Sequence, residues 1–490
     1  MISSQATEEA NKFEKGLNEW NNKEKAAMEL IHLIGKLWFD KSVELVIFRN
    51  QLFDRSASEI MYLHNYAEKI IKKPISIYDS LRLAEAIYSV EIAPSRIDLG
   101  RLATEWLNEK ALYDSASAFI ADKLKTFIGP DKRVLEPKDV VLYGFGRIGR
   151  IAARELISQA GKGQQLRLRA IVTRGNSDEE IIKRAALLRT DSVHGPFPGT
   201  IIEDLENKAL IINGHKVAMI AASKPEDVNY TVYGINDALL IDNTGASRDR
   251  EGLEKHLQAK GISKVLLTAP GKGNIPNVVY GVNQMNADKD NEQIFSAASC
   301  TTNAIVPVLK VIQNNLGIET GHIETIHAYT NDQNLLDNYH KKYRRGRSAP
   351  LNMVITETGA GSAVAKVLPE LAGKLTSNAV RVPVPNVSLA ILKLKVNRDT
   401  NKDDLNNLLR HAALHGDLVE QIQFSFSNEL VSSDLVGNPC ASIIDSPATI
   451  VADDKRNVVI YVWYDNEYGY TRQVIRFSKY LANVIRLTYY

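Results

Sequence analysis

The sequence predicts an α/β chain in three stretches: an all-α extension over residues 1–137, a parallel α/β sheet region over 138–299, and an α+β region with a mainly antiparallel sheet over 300–471. Three observations lead there. In the first stretch, apolar residues recur at three-to-four spacing. In the second, short apolar runs that end in turns alternate with amphipathic stretches. In the third, Val/Ile-rich runs of strand length take over.

Ala27, Leu30, Ile31, Ile34, Leu37 and Trp38 make one helical face. Ser56 with Glu59 has the spacing of a capping box, ahead of Ile60, Met61, Leu63, Tyr66, Ala67, Ile70 and Ile71. Pro74, Pro94 and the pair Gly129-Pro130 punctuate the extension, and it holds no chemistry motif. It reads as a packing or assembly element. After Pro137, "DVVLYGFGRIGR", "LRAIVTRG", "ALLIDNTGAS" and "KVLLTAPGKG" are apolar runs closed by turns; "AILKLKV" and "NVVIYVWY" follow in the third stretch. A last helix over 472–490 is expected to rejoin the second region.

Composition narrows the function. The 490 residues are 44% hydrophobic and 24% charged, enough for two or three domains. A formal charge of +2 gives no sign of a nucleic-acid partner. Two cysteines, Cys300 and Cys440, make no disulfide framework and suit a reducing compartment. No apolar run approaches the roughly 18 residues that read as a membrane span, and the N-terminus lacks the apolar core of a secretory signal. The expectation is a soluble cytoplasmic protein with no membrane partner and no metal.

Gly144, Gly146 and Gly149 form G-x-G-x-x-G directly after the run Val140–Tyr143, with Phe145, Arg147 and Ile148 between them. The first glycine allows a tight bend, the second lets backbone approach a pyrophosphate, and the third lets helix pack on strand; this is the Rossmann dinucleotide turn. The N–H groups of the following helix are then free for phosphate. The second strand should end in an acid for the adenosine ribose. Here no Asp or Glu occurs between Glu155 and Asp178, and "LRAIVT" runs into Arg174, which can pair with a 2′-phosphate. NAD or NADP is the expected cofactor, with NADP accepted.

"AASCTTNAI" sets Cys300 among Ser299, Thr301 and Thr302, an unusual setting for a buried structural cysteine. "TIHAYTNDQ" places His327 at the end of a strand-like run, where a neutral imidazole could take the thiol proton.

"YGFGRIGR", "AASCTTNA", "IHAYTNDQ", "RRGRSAP", "TETGAGSAVAKVLPELAGKL", "RVPVPNVS" and "WYDNEYGY" occur in this order. Together they resemble glyceraldehyde-3-phosphate dehydrogenase of the phosphorylating, Cys/His type, from about residue 139 to the C-terminus. The resemblance implies that Cys300 attacks the aldehyde of glyceraldehyde 3-phosphate, that His327 is its base, and that inorganic phosphate releases the thioester as 1,3-bisphosphoglycerate. It implies that Ser299, Thr301, Thr358 and Gly359 bind the attacking phosphate with Arg345 close by, and that Thr330 and Arg381 bind the C3 phosphate. Asn466 would hold the nicotinamide carboxamide, and Thr244 and Thr268 would line the cofactor cleft. A homotetramer is implied as well.

Four departures from the family pattern stand out. Arg174 replaces an aspartate, and Asn338-Tyr339 replace a Leu-Pro pair near the adenosine ribose. Ala304 replaces a frequent second cysteine, and Glu357 sits beside Thr358, where it is expected to point outward. Erythrose-4-phosphate dehydrogenase shares the thiol and histidine and is the rival reading; Thr358-Gly359 favours phosphorolysis. A scaffold role carried by the extension is the alternative of another class.

Overall fold

The computed structural model describes residues 2–71, 73–129, 135–161 and 163–490. Pro130 and the side chain of Ile70, both named above, lie outside the described residues. The chain forms two compact units, one of residues 1–136, 161–164 and 485–490, the other of 137–160 and 165–484.

The first unit is mostly helical. Helices span Ile2–Lys41, Ala57–Ile71, Ile77–Ser89, Leu99–Glu109 and Ala116–Lys123. Ala27, Leu30, Ile34, Leu37 and Trp38 are buried, so the predicted face of the first helix is its core face. The Ser56/Glu59 capping box forms: the Glu59 N–H donates to Ser56 Oγ at 3.3 Å and the Ser56 N–H to Glu59 Oε2 at 2.8 Å. The expectation of an all-α extension is corrected, however. A four-stranded sheet runs in the order Asn50–Gln51, Val43–Ile47, Ser95–Asp98, Leu487–Tyr489, and the last three strands are mutually parallel. Val43–Ile47 is buried at every position. The five-residue run, apolar except for Glu44, is too short to separate from a buried helix turn, and the strand it pairs with, Ser95–Asp98, takes its other neighbour from the C-terminus, almost 400 residues further along.

That pairing also corrects the predicted C-terminal helix. The helix spans Tyr468–Leu481. Asn483 then takes a left-handed φ of 58°, which a helix does not accommodate, and the chain ends as the strand Leu487–Tyr489 of the first unit.

The second unit opens with a sheet in the order Ile294–Ser296, Ile262–Leu267, Ala238–Asp242, Lys138–Tyr143, Leu166–Thr173, His215–Ala221, Ala209–Ile212, Ile201–Asp204. Its first six strands are parallel, with the first strand in sequence central and the order reversing beside it. This is the doubly wound arrangement, whose ligand crevice lies at the carboxyl ends of the strands where the order reverses. Buried apolar clusters line both faces, as a parallel sheet requires.

The unit's second large sheet runs Val354–Thr356, Leu375–Val382, Ile318–Ala328, Ser388–Val396, Asn457–Tyr464, Ser442–Asp445, Ile422–Ser425. It is mixed, with the expected antiparallel majority and a parallel pair, Ile318–Ala328 with Leu375–Val382, at its functional end. Strand Ser388–Val396 alternates buried and part-exposed positions. Ala390, Leu392, Val396, Val458, Ile460 and Val462 meet Ala304, Ile305, Val308, Leu309 and Ile312 of the helix Cys300–Leu316 in one core. That packing fixes the N-terminus of the helix against the sheet.

Candidate active site

The strand Ile294–Ser296 leads through Ala297 and Ala298 into the helix that opens with Cys300. Ala298 adopts a φ of 55°, a conformation that costs a non-glycine residue energy. The bend is held from several sides. Ser299 caps the helix by accepting from the Thr302 N–H at 3.0 Å, and Asn303 Nδ2 donates to the carbonyls of Ala297 at 2.8 Å and Ser299 at 2.9 Å. Tyr470 donates its hydroxyl to Ala298 O at 3.0 Å. The thiol therefore sits in the first turn of a 17-residue helix, where the dipole favours a thiolate.

His327 lies near the end of Ile318–Ala328, directly across from Arg381 in the parallel register. The Cys300 sulfur is 3.6 Å from His327 Nε2. On the other side of the ring, Nδ1 is 2.7 Å from the Ala328 carbonyl oxygen and 2.7 Å from Arg381 Nη1, which also donates to that carbonyl at 2.8 Å. Burial, followed by the Arg381 charge, holds the imidazole pKa down at about 3. Burial pushes the Cys300 thiol up, opposed by the Arg381 charge and by hydrogen bonds from Thr301 and the helix N–H groups. Both effects of burial favour the uncharged form of each group.

Tyr464 is fully enclosed behind them. Its hydroxyl lies 2.7 Å from Thr325 Oγ1 and 3.1 Å from Thr301 Oγ1, and its ring meets His327 edge-on at 6.0 Å. Ser388 accepts from the Ala328 N–H at 3.0 Å and donates to Asn466 Oδ1 at 2.8 Å. The Asn466 amide is thereby oriented from the histidine strand, and its Nδ2 donates to no protein acceptor among the described residues. Tyr464 and Ser388 were not singled out from the sequence. The inward alternation Val458, Ile460, Val462, Tyr464 was the available signal for the tyrosine.

Arg345 donates to Thr356 Oγ1 through Nε at 3.2 Å and Nη2 at 3.0 Å, and pairs with Asp332. Its charge acts on both His327 and Arg381. Thr358 Oγ1 accepts from the Ala360 N–H at 3.3 Å, and Gly359 opens the helix Ala360–Val367 without a side-chain cap. Thr330 is half-buried just past the histidine strand. Glu357 is exposed, as expected, and Cys440 is a buried cysteine outside any disulfide. The direct contacts thus join Cys300, His327 and Arg381. Thr301 joins them through Tyr464, and Asn466 through Ser388.

The dinucleotide turn has the geometry its glycines require. Gly144 takes a φ of 91°, and a Cβ on it would lie 2.8 Å from Thr244 Cγ2. A Cβ on Gly149 would overlap the Gly144 carbonyl. Beyond Gly146 nothing lies within 4 Å, and the helix Arg147–Ser158 begins there with no side-chain cap. An open approach to uncapped N–H groups fits a pyrophosphate. Phe145 is buried in the core, so its part is structural. The Arg147 guanidinium is committed to Glu467 and, at 3.1 and 3.2 Å, to Asp191; His194 Nε2 lies 2.9 Å from Glu467. Burial alone would raise the Glu467 carboxyl, but hydrogen bonds from His194 and Arg147 hold it below its ordinary value. Asp242 receives the Thr244 N–H at 2.7 Å and hydroxyl at 2.6 Å, while Thr268 Oγ1 donates to its carbonyl at 3.0 Å. Arg174 is exposed at the end of its strand and forms no ion pair among the described residues. Beside it, a carboxylate oxygen of Glu180 lies 2.6 Å from the place a Cβ on Gly175 would take.

Residues 138–250 match the NAD-binding domain of glyceraldehyde 3-phosphate dehydrogenase, and residues 299–466 match its C-terminal domain. The chain is 49% identical over 460 residues, 93% of its length and 98% of the relative's, to a glyceraldehyde-3-phosphate dehydrogenase-like protein of Pseudomonas aeruginosa strain UCBPP-PA14. The chain belongs to the glyceraldehyde-3-phosphate dehydrogenase family. The glyceraldehyde-3-phosphate dehydrogenases of Zymomonas mobilis and of Pseudomonas aeruginosa PAO1 are 38% and 43% identical over 347 and 336 residues, 71% and 69% of this chain and 99% and 96% of theirs. Those shorter matches leave out a stretch the size of the extension. The 93% match takes most of it in, so the extension is shared with at least one other member of the family. The N-terminal domain of the second unit is the family's NAD-binding domain, and the chain is an oxidoreductase of this family.

Proposed function

We propose that the chain oxidises glyceraldehyde 3-phosphate with NAD and inorganic phosphate to 1,3-bisphosphoglycerate. The carrying observation is the Cys300 sulfur, at a helix N-terminus, 3.6 Å from His327 Nε2. His327 Nε2 takes the thiol proton as sulfur bonds to the aldehyde carbon. The Cys300 N–H and the resulting imidazolium stabilise the alkoxide. NAD, when bound, supplies the hydride acceptor, and Asn466 Nδ2 is free to orient its carboxamide. The imidazolium gives its proton to the alkoxide, forming the thiohemiacetal, and the neutral His327 then takes that hydroxyl proton back as the C–H bond gives up its hydride, which leaves a thioester on Cys300. A phosphate oxygen then attacks the carbonyl carbon, the C–S bond breaks, and the thiolate is regenerated.

Arg381 and Thr330 hold the C3 phosphate. Ser299, Thr301, Thr358, Gly359 and Arg345 hold the attacking phosphate, with Thr301 acting through its N–H because its hydroxyl is turned to Tyr464. NAD binds through the backbone of Gly144–Gly149 and beside Thr244 and Thr268. NADP is accepted too, supported by the exposed Arg174, which has no ion pair among the described residues, and opposed by the neighbouring Glu180 carboxylate. The chain works as a homo-oligomer, a tetramer by family likeness: Leu335, Leu336, Tyr339, Tyr343, Leu351 and Met353 are 72–90% exposed within one 19-residue stretch, an apolar display that favours burial. Two cysteines, neither in a disulfide, suit a reducing, cytoplasmic setting.

The test is initial-rate kinetics with glyceraldehyde 3-phosphate, NAD or NADP, with and without phosphate. Turnover that needs phosphate is expected. Equal turnover without phosphate would overturn phosphorolysis and favour a hydrolytic aldehyde dehydrogenase.

A further inference from the structure

The first helix of the extension has a second apolar face, which the described residues leave uncovered. Ala27, Leu30, Ile34, Leu37 and Trp38 turn into the core. Phe13, Leu17, Trp20, Met28 and Phe39 recur at spacings that return to another side of the same helix, and they are 43–68% exposed. From Phe13 to Phe39 the stripe runs about 39 Å at 1.5 Å per residue. Residues 11–25 are exposed on every side of the helix. A stretch of that length is marginal on its own in water, because helices in proteins are held chiefly by burial of an apolar face. With an aromatic side chain worth about 150–250 Å², the stripe offers roughly 500 Å² per copy. A pair of copies then buries about 1,000 Å², the size at which a specific interface begins.

The stripe complements itself when two copies run antiparallel. With the level of residue 26 on the two-fold axis, Phe13 comes level with Phe39 of the second copy, Leu17 with Gly35, and Glu24 with Met28. Gly35 is a hole for the Leu17 knob, since nothing lies within 4 Å of the place its Cβ would take. Phe39 already meets Phe53 edge-on at 5.7 Å, so Phe13 lands on a pair of rings. Charge agrees with the same register. Glu14, Lys25, Glu29 and Lys36 are exposed along one flank of the stripe. Antiparallel pairing brings Glu14 of each copy alongside Lys36 of the other, and Lys25 alongside Glu29, whereas a parallel pair sets each charge beside its own copy. A membrane surface is the poorer partner. Helices that lie in a bilayer interface carry a basic polar face, but residues 11–25 interleave four lysines with Glu14, Glu19 and Glu24.

We propose that this stripe is a docking surface for a second copy of the chain: the exposed arm of one first helix, residues 11–25, lies antiparallel across residues 28–39 of the other. The pairing uses the extension alone and is independent of the catalytic reading.

The experiment places the photo-cross-linking residue p-benzoylphenylalanine in the full chain, either at Glu24, in the middle of the stripe, or at Lys15, on the opposite side of the helix. Irradiation at micromolar concentration is followed by denaturing electrophoresis and peptide mapping. The expected product from position 24 is a covalent dimer joined at or next to Met28 of the second copy, in at least tenfold higher yield than from position 15. Leu17→Lys should lower that yield at least tenfold. Glu14→Lys should lower it as well, and adding Lys36→Glu should restore it. Positions 14 and 36 lie about 33 Å apart along one helix, so only a second chain can supply the restoring contact. All the altered side chains are exposed, and circular dichroism checks that the helix stands. Monomer alone, equal yields from the two positions, a link mapped outside residues 25–32, or a Glu14→Lys loss that Lys36→Glu does not restore would overturn the proposal. So would flotation of the chain with phosphatidylcholine–phosphatidylglycerol vesicles in place of a dimer, which would assign the stripe to a membrane surface. If a charge variant does not fold, the two cross-linking positions decide by themselves.

Discussion

Replacing Gly146 and Gly149 by alanine, one at a time, separates the two things a dinucleotide turn does. At 149 the new Cβ would lie 3.2 Å from the Gly144 carbonyl carbon and nearer still to its oxygen, and both are backbone atoms of the turn. No side chain can swing aside, so the helix Arg147–Ser158 must lift away from the strand Lys138–Tyr143. Overpacking a well-filled site costs about 1–3 kcal/mol, and a backbone obstacle belongs at the upper end. At about 2–4 °C of Tm per kcal/mol for a domain of 150–250 residues, Gly149→Ala should lower the unfolding temperature of the NAD-binding domain by about 6–12 °C. At 146 the Cβ meets nothing within 4 Å and φ is negative, so Gly146→Ala should move Tm by no more than about 1 °C. It does fill the space that a pyrophosphate would occupy, so KM for NAD should rise while the fold stands. The assay is differential scanning calorimetry of the unliganded proteins beside NAD titration of each. A stable Gly149→Ala, or a Gly146→Ala that binds NAD like the wild type, would refute the assignment of close packing to one glycine and cofactor approach to the other.

Four further outcomes are expected. Cys300→Ser should lose oxidation and keep NAD binding, and His327→Asn should lose about 10²–10⁴ in rate; turnover within threefold of wild type for the latter would remove His327 from the chemistry. Arg174→Ala should lower kcat/KM for NADP by about two- to fivefold, the worth of an exposed charge contact, and leave NAD untouched, while Glu180→Gln should raise NADP efficiency; equal loss for both cofactors after Arg174→Ala would refute the 2′-phosphate contact. Asp191 and Glu467 both have carboxyls held below their ordinary values, so their contribution to stability is complete above the unfolded values, about pH 4, and is lost as pH falls through the lower folded values; chemical denaturation between pH 7 and 3 should show a shallower acid decline in Arg147→Met. Deleting residues 485–490 should loosen the first unit, seen as faster proteolytic cleavage within residues 43–127, with the second unit's resistance unchanged.

The parts that were legible in the sequence are those where the chemistry restricts the residue type locally. Gly144, Gly146 and Gly149 are required by backbone geometry within six residues, and the hydroxyl-rich setting of Cys300 is contiguous with the helix cap that uses it. The parts that were not legible depend on register between distant segments. His327 and Arg381 are 54 residues apart, and only the parallel pairing of their strands places the guanidinium on Nδ1 rather than in open solvent. Ser388, which links the histidine strand to Asn466, carries no motif of its own; its role exists because Ser388 lies opposite Tyr464 in an antiparallel ladder. Arg147 read as part of the cofactor turn, but its partners Asp191 and Glu467 are 44 and 320 residues away, and they spend its charge on the protein. The all-α reading of the extension failed for the same reason, since five buried residues in a row declare burial but not the neighbour that buries them.

The C-terminus changes what the extension can be. Leu487–Tyr489 supplies the edge strand beside Ser95–Asp98, and its side chains are built into the first unit: Tyr489 donates to Glu105 at 2.6 Å and lies under the Arg101 guanidinium at 4.7 Å, while Arg486 pairs with Glu44 at 3.5 Å and covers Trp38 at 4.6 Å. A unit whose sheet joins Val43–Ile47 and Ser95–Asp98 to Leu487–Tyr489 cannot complete that sheet until Tyr489 has been synthesised. It also cannot be removed by an N-terminal cut alone, because the cut leaves residues 485–490 with an unpaired strand edge and an uncovered tyrosine and arginine. A truncate that begins near residue 137 is a fair test of the catalytic part only if it also ends near residue 484. Loss of activity in such a doubly trimmed chain would assign the first unit a part in catalysis or assembly. Full activity there, with aggregation only when residues 485–490 are kept, would identify it as a separately folding module closed by the C-terminal strand.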